Sequence, residues 1–129
     1  MVHDGYFHRV YRDTPTRLWI NNPTHAECDL AIAAGAISCT TNPTFAARQL
    51  GRSDADATRA VVRSAARECG SIDEATDRVQ REVVRPLVDR FRALWDAAPG
   101  SQGFVSLQGN PSHDDDAAYM VEECLRARE

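Results

Sequence analysis

The chain has 129 residues, 43% of them hydrophobic and 26% charged, which is enough for one domain with a buried core. A formal net charge of −4 excludes the basic excess of a nucleic-acid-binding protein. No stretch approaches the ~20 apolar residues of a membrane span, and residues 1–16 carry no signal-peptide run, so cytoplasmic residence is expected.

In chain order, residues 1–16 read as a polar, irregular lead-in, and residues 17–129 as the structured part. Leu18, Trp19 and Ile20 form a short apolar run bounded by turn residues, the pattern of a buried strand. Asn22-Pro23 breaks it. Thr24 followed three residues later by Glu27 predicts a capping box and a helix ending at Gly35. A second strand is predicted over residues 36–40, running into Thr41-Asn42-Pro43-Thr44.

Helical material follows from Phe45 to Leu50. Ser53 with Asp56 opens another helix, with Ala57, Ala60, Val61, Ala65 and Cys69 as its apolar face, closed by Gly70. Ser71 with Glu74 starts the longest helix, to about Ala97. Its stripe runs from Ile72 through Val79, Val83, Leu87 and Phe91 to Trp95. Pro86 inside it predicts a kink or break. Phe104 to Gln108 is a third strand, and a last helix carries Ala117, Val121, Cys124 and Leu125. Strands alternating with helices imply parallel pairing and right-handed crossovers.

The chemistry-bearing residues are sparse. Cys28, Cys39, Cys69 and Cys124 are widely spaced, without a Cys-x-x-Cys pair, so no zinc or redox site is expected and buried free thiols are. His113 beside Asp114, Asp115 and Asp116 superficially resembles a metal cluster. Adjacent acids at a helix start do not converge on one point, so capping is the expected role. All 15 basic residues are arginine and there is no lysine. Arginine cannot be deprotonated to form an imine, so these residues alone cannot perform Schiff-base chemistry.

Two segments carry a family resemblance. Ile37-Ser38-Cys39-Thr40-Thr41-Asn42-Pro43-Thr44-Phe45 resembles the N-terminal signature of transaldolases, and Val105-Ser106-Leu107-Gln108-Gly109-Asn110-Pro111 resembles their third strand. The resemblance covers about residues 14–129. It implies an α/β fold, a partial (β/α)8 TIM barrel of about three N-terminal units with extra helices between the second and third strands. It also implies transfer of a dihydroxyacetone unit between sugar phosphates, without metal or cofactor, through a fourth-strand lysine. The chain ends before that strand, so it is expected to be inactive alone.

The family's first-strand acid/base is usually Asp; Asn21 stands there. Asn42 matches a substrate-binding asparagine, with Thr41 beside it, and reads otherwise as a turn residue before Pro43. Gln108 matches a third-strand position that holds Glu or Gln. The implied catalytic positions are thus Asn21 and Gln108, and the substrate-binding ones Thr41 and Asn42. Sugar phosphate is the implied partner, with self-association through the open barrel edge. Two alternatives stand beside this reading: a catalytically dead sugar-binding or oligomerising module, and a helical interaction domain built on the Ile72–Trp95 stripe.

Overall fold

The computed structural model describes residues 5–128. They form six α-helices and three short strands: α1 (Tyr6–Asp13), β1 (Trp19–Asn21), α2 (His25–Ala34), β2 (Ser38–Thr41), α3 (Thr44–Leu50), α4 (Asp56–Glu68), α5 (Ile72–Ala97), β3 (Val105–Leu107) and α6 (Ala117–Arg126). A 3-10 turn, Pro111–His113, precedes α6. The fold is mixed α/β with helix predominating and one small three-stranded parallel sheet. The residues divide into two units. One holds the chain up to Thr41 together with Pro86–Ser106; the other holds Asn42–Arg85 and the chain from Leu107.

The first unit is organised around β2, the central strand in the order β1-β2-β3. Trp19, Ile20 and Asn21 lie in register with Ser38, Cys39 and Thr40. A central strand is covered on both faces, and Ser38, Cys39 and Thr41 are accordingly buried. Phe104 and Gly103 extend the pairing on the other side: the Cys39 N–H donates to the Phe104 carbonyl at 2.9 Å, and the Gly103 N–H to that of Ile37 at 2.7 Å. Leu87 and Phe91 of α5 are fully buried in this unit.

The predicted start of α2 is present in full. The Glu27 N–H donates to Thr24 Oγ1 at 3.2 Å, and the Thr24 N–H to Glu27 Oε2 at 2.7 Å. Gly35 ends the helix at φ 109°, a conformation that glycine adopts without a Cβ penalty. Thr24→Ala removes one half of this exchange and is expected to lower stability by about 1 kcal/mol, read as a lower urea midpoint with unchanged slope. An unchanged midpoint would mean that water replaces the cap.

Three expectations need correction. Residues 1–16 are not irregular throughout, because Tyr6–Asp13 is the helix α1. Tyr6/Val10 and Phe7/Tyr11 are spaced four apart, a helical signal masked by the surrounding polar residues. His8 of α1 meets the Ala33 carbonyl of α2 at 3.0 Å. Second, of the kink or break expected at Pro86, the break is absent: α5 is one helix from Ile72 to Ala97. One backbone bond is lost there, but buried Val83, Val84 and Leu87 hold the helix on either side. Its stripe is buried only in the middle, since Ile72 and Trp95 at the two ends are exposed. Third, the Ser71 box is displaced. Ser71 Oγ accepts from the Glu74 N–H, but Glu74 reaches back to the N–H of Gly70 rather than of Ser71.

The second unit contains α3, α4, the first half of α5, and α6. Phe45, Ala55 and Ala65 are buried there. Of the apolar face expected for α4, only Ala65 is buried in the helix; Ala57 and Ala60 are exposed. Arg78 of α5 ties α4 to α5, with Nη1 on Glu68 at 2.8 Å and Nε on Glu82 at 2.6 Å.

Candidate functional site

The strand ends of the first unit carry two of the four implied site residues. Asn21 is the last residue of β1, opposite Thr40 in the register. The next N–H, of Asn22, donates to the Thr40 carbonyl at 2.9 Å, and Asn22 itself adopts φ 50°, turning the chain away from the strand. Thr41 ends β2 in a buried position, and its hydroxyl donates to the Ser106 carbonyl at 3.2 Å. Asn21 and Thr41 are therefore the last residues of two neighbouring strands. Thr41 spends its hydroxyl on the strand backbone, which is a packing role.

Asn42 opens one segment of the second unit, and Gln108 is the second residue of the other, which begins at Leu107. Asn42 Oδ1 accepts from the Thr44 N–H at 3.1 Å and from its hydroxyl at 2.7 Å, while its carbonyl accepts from the Phe45 N–H at 2.9 Å. The side chain thus forms an Asx turn that starts α3, and its amide plane is fixed. Gln108, one residue past β3, is exposed.

The first unit holds two buried thiols, Cys28 and Cys39. Burial raises the Cys39 thiol from its ordinary 9.0 to about 12, with Cys28 adding a smaller push in the same direction. Cys28 is also raised, by burial first, with Arg90 opposing. Neither thiol is a nucleophile at neutral pH, since only the thiolate reacts. The expectation of buried cysteines holds for these two. Cys69 is half-buried and Cys124 exposed, and all four are free.

The residues missed by the sequence reading form a polar cluster in the second unit. Asp77, on α5, is only 7% exposed. Its Oδ2 accepts from Arg81 Nη2 at 3.0 Å and from Arg126 Nε at 3.3 Å. Asp73 Oδ2 meets His113 Nε2 at 3.1 Å, and Asp73 Oδ1 accepts from Asn110 Nδ2 at 3.2 Å. The His113 ring stacks on Tyr119 with centroids 4.0 Å apart. Asp73, Asp77, Arg81, Tyr119 and Arg126 line a cavity of about 400 Å3. The Arg126–Asp77 pair holds α6 against α5, while Arg81, paired to Asp77 through Nη2, keeps its Nε buried without a hydrogen-bond partner.

Asp116, from the acid run beside His113, caps α6 by accepting from the N–H groups of Ala118 and Tyr119, both at 3.0 Å. Among the described residues, no group of three or more His, Cys, Asp or Glu side chains could hold a metal, and no helix is long and apolar enough to cross a membrane.

These features define a mixed α/β protein with a small parallel sheet and polar residues at its strand ends. No family model matches the chain, and no curated protein or solved structure matches it.

Proposed function

We propose that this chain is the opening part of a transaldolase-type (β/α)8 barrel, resident in the cytoplasm, whose complete form moves a dihydroxyacetone unit between sugar phosphates. One observation carries the reading. The parallel strands follow one another in chain order β1-β2-β3, and the Thr-Thr-Asn-Pro signature falls at the C-terminal end of the central one. That end is where (β/α)8 barrels gather their chemistry.

In the complete protein a lysine attacks the ketose carbonyl. Loss of water from the carbinolamine gives the imine, and carbon–carbon cleavage then releases the aldose. No lysine lies among these 129 residues, so it comes from another segment. Asn42, its amide plane fixed by Thr44, holds substrate hydroxyls. Gln108 positions water or the amine. Asn21 is an amide where the family uses a carboxylate, and an amide exchanges no proton near neutral pH. That substitution favours one second reading, a sugar-binding module without catalysis.

Borohydride trapping with fructose 6-phosphate separates the two. The 129-residue chain alone is expected to form no adduct. The product of an open reading frame extended past the Glu129 codon is expected to trap a dihydroxyacetone adduct on a lysine. Sugar-phosphate binding without any adduct in the extended product would instead establish the binding module. Absence of both would end the sugar reading.

A further inference from the structure

Helix α6 is docked by its polar face. Glu123 is its one buried residue, and the carboxylate accepts the Asn110 N–H at 3.0 and 3.2 Å. Arg126 Nε donates to Asp77 Oδ2 at 3.3 Å. The Tyr119 ring stacks on that of His113, which in turn meets Asp73. No apolar side chain of α6 is buried: Met120 is 46% exposed, Val121 60% and Leu125 54%.

Between α6 and α5 lies the cavity of about 400 Å3, with Tyr119 and Arg126 of α6 on one side and Asp73, Asp77 and Arg81 of α5 on the other. The closed arrangement lacks the contribution that fixes α5, where Leu87 and Phe91 are fully buried apolar side chains. In its place α6 has a desolvated ion pair and hydrogen bonds to one carboxylate, whose net contribution to stability is small. The Arg81 N–H left without an acceptor acts against closure. An element with few buried apolar contacts opens at a lower free energy than the rest of its fold. A helix of ten residues is marginal once it leaves its support, so undocking and melting coincide.

We infer that α6 is a lid over this cavity, latched by Glu123 and Arg126. It opens as a unit while the core of the chain stays folded, and opening brings Asp73, Asp77 and Arg81 into contact with solvent. The inference is independent of the sugar-phosphate reading.

Hydrogen exchange read by mass spectrometry, run beside carboxyl labelling with a carbodiimide and glycine ethyl ester, tests it on the full chain in native buffer. Relative to their intrinsic rates, the α6 amides are expected to exchange about 100-fold faster than those around Leu87 and Phe91. Asp77 is expected to be labelled with the protection of α6 rather than that of α5. Glu123→Gln keeps the size of the side chain and removes its charge. It is expected to raise both α6 exchange and Asp77 labelling about 10-fold and to leave the amides around Leu87 and Phe91 unchanged. Exchange in α6 as slow as around Leu87 and Phe91 would overturn the proposal. So would fast α6 exchange with Asp77 labelled only at the α5 rate, which is fraying without opening, or a Glu123→Gln variant that moves both helices equally or neither.

Discussion

Gly103→Ala is expected to destabilise the chain by about 3–4 kcal/mol, the sum of two separable effects. Gly103 adopts φ +79°, where a Cβ costs about 1 kcal/mol or somewhat more. It also lies against the backbone of α5: an added Cβ would fall 2.5 Å from Trp95 Cα and 2.6 Å from Trp95 Cβ, and would collide with the Trp95 nitrogen. A helix backbone cannot rotate aside as a long side chain can, so the loop must move and take Phe104 with it. Phe104 stacks on Trp19 at 6.2 Å and meets Trp95 edge-on at 5.3 Å, and its carbonyl accepts from Cys39. The disturbance therefore reaches the pairing of the central strand.

Gly100 supplies the control. It has nearly the same φ, +78°, with nothing within 4 Å of the added Cβ. Gly100→Ala is expected to cost only the conformational part, about 1 kcal/mol. Urea titration of the two variants, compared at constant slope, isolates the collision as the difference. Equal midpoints would mean that the backbone around Trp95 yields freely.

Alkaline destabilisation with a flatter slope in Cys39→Ala is the second large effect. Folding raises the Cys39 thiol from 9.0 to about 12, so the native state retains a proton that the unfolded chain gives up first. Above pH 9 the unfolded state binds fewer protons, and the stability of the native state falls as pH rises. The loss approaches 1.4 kcal/mol per pH unit between the two values and levels off above the folded one. Below pH 9 both states are protonated, and Cys39 contributes no slope. Cys28, raised in the same sense, adds to the trend.

Stability measured from pH 7 to 11 is expected to fall more steeply in the wild type than in Cys39→Ala. The variant begins lower, because a buried thiol is replaced by a methyl group, and the two curves converge. Parallel curves would show that Cys39 ionises as easily folded as unfolded. All other titratable groups are common to both proteins, so the comparison removes their share.

Local signals accounted for much of the fold. Thr24 with Glu27, Gly35, and the short apolar runs before Asn22-Pro23 and Thr41-Asn42 were readable because caps and strand stops depend on residues a few positions apart. Asn21 and Thr41 are the last residues of β1 and β2. The parallel pairing of the strands followed from their alternation with helices. Helix α1 escaped notice because four aromatic and aliphatic residues on eight positions are a weak pattern without a partner surface to bury them. The uninterrupted course of α5 through Pro86 escaped notice for a related reason: the local rule assigns a break, and burial of Val84 and Leu87 on either side outweighs it.

By itself the sequence determined the three strands, five of the six helices, the capping box and glycine stop of α2, and the absence of lysine. Only the tertiary structure decided which faces those elements bury. Asp77 and Arg126 lie 49 residues apart in the chain, and their pairing turns a helix face that reads as solvated into a buried one. Asn110 does the same for Glu123, 13 residues on. Periodicity shows that a helix has an apolar and a polar side, but the side that docks depends on the charges waiting opposite it. In α6 those charges belong to α5 and to the turn before it, and the apolar side was left outward.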